Sequence, residues 1–495
     1  MIFIKVRVLL ILIICSPVIL KAQVSVNSIF TNHMVLQQNA KVKIWGKASL
    51  NENVEIIPSF LKKSVKTVTD DKGNWIVEIN TPAHGGPYKM SVKGKNNQID
   101  IEDIYLGEVW LASGQSNMQF PLDSNSKGYN GVTNFKEEVE NANYPFIRQF
   151  VVKGAIARTE SDTQKGEWLI SNQENAKKIS ALAYFFSLNL QKDLKVPIGI
   201  INASWGGTCI EAWMSAKDLD IFENEVLKLQ KITDVKVKMT ENYPSVLYNG
   251  MIHPLKNYTV KGVVWCQGEN NINDPRDYAQ KMEKLVSGWR TSLNQKKLPF
   301  LYVQIAPFNY LQRTKQYFWG TENSLGFLVE QQTKVLAMSH VFMARTGDVG
   351  VINNIHYRNK QEVGYRLSLL ALKEVYKKDK GIINGPNVSK IEYLANQAFI
   401  SYSNIGTGLK IKGSLLNGFE LSEDGVKFYP ATANLEGNKV TVKADYLLKV
   451  TAIRYCFKNI HEANLFNSDG LPALPFRTDN VPYEKPNNQM PLLKQ

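Results

Sequence analysis

The sequence predicts an α/β protein in which a doubly wound, mostly parallel sheet lies between two β-sandwich-like regions. From about residue 104 to 384, apolar strand-like runs alternate with helical stretches, which is typical of a parallel sheet covered by helices. Residues 23–103 and 385–481 instead contain short runs in which apolar and polar residues alternate, as in half-buried strands. A chain of 495 residues is also too long for one ordinary core.

The first 22 residues predict a secretory signal peptide. Lys5 and Arg7 precede an apolar run over residues 8–20, and Ala22 supplies the small residue of a cleavage site. This run is shorter than the roughly 20 apolar residues that span a bilayer. We therefore expect a secreted or periplasmic protein with no stable membrane insertion after cleavage. A retained N-terminal anchor is the alternative.

Composition and charge narrow the range of partners. The chain is 44% hydrophobic and 21% charged, as in soluble globular proteins. Its net charge of +14 favours an acidic ligand by long-range attraction. The lysines are dispersed, however, and no basic helix occurs, so we expect no nucleic-acid partner. Cys209, Cys266 and Cys456 give neither a disulfide framework nor a paired zinc motif, and they leave a single disulfide open.

The two flanking regions are predicted to be β from short alternating runs. Residues 42–45 and 75–79 are such runs before the central region, and residues 398–402 and 439–442 are such runs after it. The tail, residues 482–495, is polar and contains prolines, so we expect little order there.

The central region, residues 104–384, contains buried strand-like runs and longer helical patterns. The predicted strands are 104–112, 196–202, 260–265 and 301–305, and the predicted helices are 278–294, 326–338 and 359–377. In open parallel sheets, reactive groups gather at the carboxyl ends of the strands.

The segment Gly114-Gln115-Ser116-Asn117-Met118 follows the first of these strands and places a serine on a sharp turn before an expected helix. A serine there stands above the sheet edge with backbone N–H groups around it. That geometry suits an acyl-transfer nucleophile, whose developing oxyanion needs fixed donors. A turn that only connects two elements is the alternative, because a glycine-serine turn alone is weak.

Three more polar segments are expected at the same edge of the sheet. The glycine pair in residues 204–208 lets backbone N–H groups approach a ligand, or only makes a tight turn. Residues 267–271 contain several polar side chains directly after an apolar strand. An amide at this place is able to donate to an oxyanion or to cap a helix. His356 lies on a polar loop late in the α/β region and is the best candidate for a general base.

Several ordered motifs together resemble sialate O-acetylesterases, a family of SGNH hydrolases. The central motifs are Gly107-Glu108-Val109-Trp110, the serine segment above, Trp205-Gly206-Gly207-Thr208, Trp265 with Gln267-Gly268-Glu269, and Ile355-His356 with Lys360-Gln361-Glu362-Val363-Gly364. The flanking motifs are Met34-Val35-Leu36-Gln37-Gln38 with Trp45-Gly46, then Asn464-Leu465-Phe466-Asn467, Gly470-Leu471-Pro472 and Pro475-Phe476-Arg477-Thr478-Asp479. The resemblance covers nearly all of the chain after the leader.

The resemblance implies an SGNH-hydrolase-like central domain and an esterase that removes acetyl groups from sugars, typically from 9-O-acetyl sialic acid, without metal or cofactor. Ser116 is then the nucleophile and His356 the general base. The implied oxyanion hole comprises the backbone N–H groups of Ser116 and Gly207 with the amide of Asn271. The implied positioning residues are Gln115, Gln267 and Glu269.

The chain departs from the family pattern beside the histidine. The positions two and three residues before His356, where the family carries an aspartate, are Asn354 and Asn353. An amide orients imidazole but does not stabilise imidazolium as a carboxylate does. Asp348 is the nearest replacement, and a Ser-His dyad is the alternative. Tyr357 also replaces the proline that usually follows the histidine.

Three other functions stay open at this point. The same chemistry on acetylated xylan or pectin is the nearest alternative. A non-catalytic glycan-binding protein that retains the fold is the second. A glycosidase that uses paired carboxylates, such as Glu211 and Glu269, is the third.

Overall fold

The structure, a computed structural model, describes residues 23–125, 128–311 and 320–485. The predicted leader and residues 486–495 of the predicted tail lie outside the described residues. The N-terminal strands are β1 Ser25–Val26, β2 Val35–Gln37, β3 Lys41–Lys47, β4 Asn53–Pro58, β5 Val65–Val68, β6 Asn74–Asn80, β7 Gly85–Lys93 and β8 Gln98–Gly114. β1, β3 and β6 form one antiparallel sheet, while β5, β4 and β7 pair in series onto β8. Because Trp75, Val77 and Ile79 of β6 are buried and alternate with exposed residues, this sheet has one face in the core.

β8 is 17 residues long and belongs to two regions at once. Its first half pairs with β7, and its second half pairs with strands of the central sheet. The predicted boundary between residues 103 and 104 therefore falls inside a continuous strand.

The central sheet continues with β9 Asn143–Val152, β10 Gly166–Asn172, β11 Ile198–Ser204, β12 Gly262–Cys266, β13 Phe300–Val303 and β14 Val341–Ala344. Its strand order is β10-β9-β11-β8-β12-β13-β14. All neighbours are parallel except β10, which pairs antiparallel with β9 at the edge. The carboxyl ends of β8, β11 and β12 therefore meet at the middle of one sheet edge.

Helices cover both faces of this sheet. They are α1 Ser116–Gln119, α2 Phe135–Glu140, α3 Ala181–Leu194, α4 Glu223–Ile232, α5 Tyr278–Ser292, α6 Ser324–Lys334 and α7 Lys360–Leu370. Short 3₁₀ or π turns lie at Ile210–Trp213, Tyr248–Ile252, His253–Leu255, Glu269–Asn271, Val335–Ala337 and Ala371–Val375. Val109 and Leu111 of β8 share a core with α5 and α6, whereas Trp110 and Ala112 share one with α3 and α7. Successive residues of a strand point to opposite faces, so one apolar run fills two cores.

The C-terminal region is built from short strands. They are β15 Asn387–Leu394, β16 Gln397–Ser403, β17 Leu409–Ile411, β18 Phe419–Ser422, β19 Tyr429–Pro430, β20 Thr432–Glu436, β21 Lys439–Lys443, β22 Ala452–Tyr455, β23 Leu465–Asn467 and β24 Phe476–Arg477. They form two four-stranded sheets and one two-stranded sheet around their own core. This confirms the predicted mixed α/β class with a central sheet and a β-rich C-terminal region. Across the described ranges, no helix has the length and apolarity that a membrane span requires.

Candidate active site

Ser116 begins α1 directly after the end of β8. Gly114 has a φ of +132°, and a Cβ there would lie 2.1 Å from the backbone oxygen of Cys266, so only glycine fits where β8 and β12 converge. The Gln115 N–H donates to the same oxygen at 2.9 Å. Because Ser116 is the first residue of a helix, its own N–H has no intrahelical acceptor and is available to a ligand.

Ser116 and His356 line one cavity of about 600 Å³ at this sheet edge. The other lining residues come from the polar segments predicted to share the edge, from the end of α1 and the loop after it, and from the end of β9 and the two residues after it; they are Gln115, Gln119, Tyr129, Val151, Val152, Lys153, Gly154, Ser204, Trp205, Gly206, Gly207, Asn270 and Ile355. Among the described residues around this cavity, neither Glu211 nor Glu269 belongs to its wall. The paired carboxylates that a glycosidase needs are therefore not presented to it.

The imidazole of His356 packs against aromatic rings. The Tyr129 ring lies 5.2 Å away, edge to face, and the Phe120 ring lies 6.3 Å away, both measured between ring centroids. The backbone N–H of His356 donates to Asn354 Oδ1 at 2.9 Å. Asn354 thus shapes the loop through the main chain of His356.

Asp348, the predicted replacement for the missing acid, is held by an arginine. Arg366 donates to Asp348 Oδ1 at 2.6 Å and to Asp348 Oδ2 at 2.8 Å. Both side chains are largely buried. Because this bidentate pair engages both carboxylate oxygens, the geometry does not favour Asp348 as the partner of imidazole.

Gly207 lies across the cavity from the serine turn and has a φ of +74°. A Cβ at Gly207 would meet no atom within 4 Å, so the backbone conformation, not space, selects glycine. Gly206 N–H donates to Gln119 Oε1 at 3.0 Å, and Asn242 Nδ2 donates to the Gly207 oxygen at 2.9 Å. These bonds hold the loop against α1.

The two asparagines of the Glu269–Asn271 turn have different surroundings. Asn270 lines the cavity with Ser116. Asn271 does not, because its Nδ2 donates to both carboxylate oxygens of Glu211 at 3.1 Å and its Oδ1 accepts from Ile210 N–H at 3.0 Å. The structure therefore places Asn270, rather than the predicted Asn271, in the wall of the cavity that Ser116 lines.

The predicted positioning glutamines connect the loops around the cavity. Gln115 Oε1 accepts from the backbone N–H groups of Gly268 and Asn270 at 3.3 and 3.4 Å. Gln267 Nε2 donates to the Thr208 oxygen at 3.1 Å, and Gln267 Oε1 accepts from the Tyr278 hydroxyl at 2.9 Å. Gln115 thus fixes the 268–270 turn to the serine turn, and Gln267 fixes β12 to the glycine loop.

Comparison with known proteins agrees with this geometry. The family model described as carbohydrate esterase, sialic acid-specific acetylesterase matches residues 106–369. The chain belongs to this family. It is 30% identical to the sialate O-acetylesterase of Homo sapiens over 493 residues, with 91% of each chain covered, and 28% identical to that of Rattus norvegicus, with 91% of this chain and 93% of the relative covered. The predictions of the family and of an ester hydrolase are confirmed.

A solved structure gives the same result. The chain superposes on a carbohydrate acetylesterase from Xanthomonas citri with a TM-score of 0.81 and 32% sequence identity, and the match covers 92% of this chain and all of that one. The match extends over nearly the whole chain, and it supports a carbohydrate acetylesterase function.

Sequence reasoning missed a buried network that joins the loops. Lys360, the first residue of α7, is fully buried and donates to Asn117 Oδ1 at 2.6 Å. Asn117 Nδ2 in turn donates to Glu269 Oε1 and, at 3.2 Å, to the oxygen of Ile355. Burial lowers the pKa of Lys360 to about 7, against the opposing attraction of Glu269. A lysine at a helix start ordinarily lies in solvent, so nothing in its sequence position indicates burial.

A second buried network lies on the other side of the 267–271 segment. Lys281 Nζ lies 2.5 Å from Glu211, 2.9 Å from Asp277 and 3.8 Å from Glu225. Burial alone would raise the pKa of Glu211, but the Lys281 ammonium outweighs burial and lowers that pKa. This ion network holds Glu211, and through it Asn271, off the cavity.

Within residues 23–125, 128–311 and 320–485, no group of three or more histidine, cysteine, aspartate or glutamate side chains is arranged to hold a metal ion.

Proposed function

We propose that this protein is a serine esterase that hydrolyses O-acetyl esters of sialic acid, with 9-O-acetyl sialic acid as the preferred substrate. The observation that carries the proposal is that Ser116 and His356 line one cavity together with Gly207 and Asn270. The names of the human and rat relatives support the sugar, and the net charge of +14 suits an acidic one.

The reaction proceeds in two halves. His356 takes the proton of the Ser116 hydroxyl as Oγ attacks the acetyl carbonyl, and collapse of the tetrahedral intermediate breaks the ester bond. The departing sugar oxygen receives the proton from His356 and leaves as an alcohol. Water then gives a proton to His356 and attacks the acetyl group on Ser116, and the returning proton restores the serine hydroxyl as acetate leaves.

Three donors stabilise the oxyanion in this proposal. They are the N–H of Ser116, the N–H of Gly207 and the side-chain amide of Asn270. Asn270 Nδ2 donates one hydrogen bond to Asn242 Oδ1 at 3.1 Å, which fixes the amide. Its second N–H is then the donor to the substrate. One such donor contributes about 3 kcal/mol to transition-state stabilisation.

We assign proton transfer to Ser116 and His356 and give Asp348 no part in it, because Arg366 binds both of its oxygens. The loops around the cavity help to orient the imidazole.

We further propose that the protein is secreted or periplasmic, as the leader-like residues 1–22 indicate. N-terminal sequencing of the protein recovered from its native cells tests this. Cleavage near Ala22 is the expected result, and an intact Met1 contradicts it.

The decisive experiment measures acetate release from 9-O-acetylated sialic acid by the wild type and by Ser116→Ala. We expect the wild type to be active and the variant to lose at least ~1000-fold in kcat. Ser187→Ala, which removes a buried hydroxyl on α3, is the matched control and should keep wild-type activity. Equal rates for the wild type and Ser116→Ala contradict the mechanism. Faster release from acetylated xylan than from the sialate contradicts the substrate.

A further inference from the structure

A second cavity lies next to the one that contains Ser116. It has a volume of about 700 Å³ and shares five wall residues with the first, namely Gln119, Tyr129, Val151, Val152 and Ser204. On the basis of these shared residues we interpret the two neighbouring cavities as two lobes of one cleft. We call the part around Ser116 the ester lobe and the other part the outer lobe.

The outer lobe provides space and polar side chains beyond those that the acetylated sugar needs. Each lobe lies within the 300–1,000 Å³ that encloses a drug-sized ligand, so the ester lobe already has room for one acetylated sugar. The side chains that line only the outer lobe are mostly polar; they are Ser124, Asn125, Glu167, Lys177, Lys178 and Asn202. Such side chains match the hydroxyl-rich surface of a sugar, and the Tyr129 ring lies where the two lobes meet.

We propose that the outer lobe binds the sugar unit attached to the acetylated one, so that the natural substrate is an O-acetylated oligosaccharide rather than the free monosaccharide. This inference rests on the proposed function. The lobe then acts on specificity, because contacts beyond the reacting sugar supply binding energy that the monosaccharide lacks.

The test compares 9-O-acetylated sialic acid as a free monosaccharide with the same sugar at the end of a sialyl-lactose trisaccharide. The wild type should show a kcat/KM about tenfold higher for the trisaccharide, the effect of one or two added hydrogen bonds. Ser124→Trp, which fills the outer lobe, should bring the two substrates to within about twofold. Lys178→Trp should also reduce the preference for the trisaccharide. Because Lys178 is exposed at the rim of the outer lobe, this change should not disturb the interior. Hydrolysis of p-nitrophenyl acetate, which occupies only the ester lobe, should stay unchanged in both.

Ser339→Trp, in an exposed turn outside the cleft, is the matched control and should keep the trisaccharide preference. A wild type that cleaves both sialosides equally well overturns the role of the outer lobe and leaves the esterase intact. A trisaccharide preference that survives both tryptophan variants also overturns it. A wild type that cleaves p-nitrophenyl acetate but neither sialoside contradicts the proposed substrate itself.

A different observation, the orientation of the Asn117 amide, carries a second inference. An asparagine amide has one acceptor end and one donor end. Lys360 only donates and contacts Asn117 Oδ1, whereas Glu269 and the Ile355 oxygen only accept and contact Asn117 Nδ2. Lys360, Glu269 and the Ile355 oxygen together therefore fix which way Asn117 points. Asn117 follows Ser116 in the chain, and Ile355 precedes His356.

We infer that Lys360 is a positioning residue that sets the placement of the His356 loop relative to Ser116 through Asn117. Lys360 is itself held by the faces of two rings, with Nζ 3.5 Å from the Tyr357 centroid and 4.9 Å from the Phe120 centroid. Tyr357, which replaces the usual proline, thus contributes to the same support.

Lys360→Met and Lys360→Gln separate this role from a purely structural one, because only glutamine keeps an N–H donor. On p-nitrophenyl acetate, Lys360→Met should lose up to about 100-fold in kcat with little change in KM, since a displacement of about 1 Å costs that much. Lys360→Gln should recover most of the loss. Lys378→Met, at an exposed lysine, should behave as wild type.

Equal kcat in the wild type and Lys360→Met overturns the inference. Equal losses in the methionine and glutamine variants overturn it as well, because the donor would then be irrelevant. Asn117→Ala tests the same link if the Lys360 variants fold poorly, and it should reproduce the split between kcat and KM. Unchanged kcat in Asn117→Ala contradicts the role of the link.

Discussion

Two buried lysines lie on opposite sides of the 267–271 segment, and their surroundings differ in charge. Lys281 lies close to Glu211, Glu225 and Asp277. The attraction of Glu211 and Asp277 outweighs burial and raises the pKa of its ammonium group. Lys360 instead contacts the neutral amide oxygen of Asn117 and two aromatic faces, and burial lowers its pKa to about 7.

The difference separates the framework of the site from its reactive centre. A buried cation with full compensation by carboxylates is a stable anchor, and here it fixes Glu211 and Asn271 away from the cavity. A buried cation with little compensation is costly to keep, and this one donates to Asn117, the residue that follows Ser116. The charge of Lys281, which anchors the 267–271 segment, is therefore fully compensated by carboxylates. The charge of Lys360, which lies near the proposed reactive serine, is not.

Removal of the compensated lysine should give the largest effect on stability. Lys281→Met leaves Glu211 and Glu225 buried without their shared cation, which should lower the free energy of unfolding by about 3–5 kcal/mol. Urea denaturation measures this change. Lys228→Met, which removes an exposed lysine partner of Glu225 and leaves Lys281 in place, is the control and should cost about 1 kcal/mol or less. Similar losses in both variants contradict the comparison.

The two adjacent asparagines should respond in opposite ways. Asn270→Ala removes the proposed oxyanion donor and should lower kcat by about 10²–10³-fold with little loss of stability. Asn271→Ala leaves the Glu211 carboxylate without its amide donor and should cost about 1–3 kcal/mol in unfolding free energy with a smaller effect on kcat. Steady-state kinetics and denaturation on the same preparations decide between them. A larger loss of kcat in Asn271→Ala than in Asn270→Ala would contradict this assignment and would make Asn271 the oxyanion donor.

A pH dependence of stability is also expected at Lys360. Its pKa in the folded state, about 7, lies below the ordinary lysine value of 10.5, so unfolding takes up a proton between those two values. The free energy of unfolding should therefore rise with pH across this window by up to about 1.4 kcal/mol per pH unit, relative to Lys360→Met. Denaturation of both proteins at pH 7, 8 and 9 measures the slope. A constant difference between the two proteins contradicts the uncompensated burial of Lys360.

Much of the central sheet was predictable because its strands are continuous apolar runs. β11, β12 and β13 lie within about two residues of their predicted positions, and the Ser116 and Gly207 segments follow strands as expected. The boundary at residues 103 and 104 was not visible in the same way, because the first half of β8 pairs with β7 and the second half with β11 and β12 without any break in its backbone.

The choice between Asn270 and Asn271 depends on contacts that local sequence does not contain. Successive residues of a 3₁₀ turn point about 120° apart, so one of two adjacent asparagines faces the cavity and the other faces away. The partner that decides the direction, Glu211, is about 60 residues distant in the chain. Lys360 presents the same difficulty, since its acceptor Asn117 is 243 residues away.

The most direct test of the central claim is covalent labelling with phenylmethylsulfonyl fluoride followed by peptide mass spectrometry. The account predicts one sulfonyl group, on the peptide that contains Ser116, and labelling that is much slower in His356→Ala because the serine then lacks its base. Ser116→Ala should remain unlabelled at that peptide. A sulfonyl group on another serine, or labelling of Ser116 at an unchanged rate in His356→Ala, would contradict the pairing of these two residues.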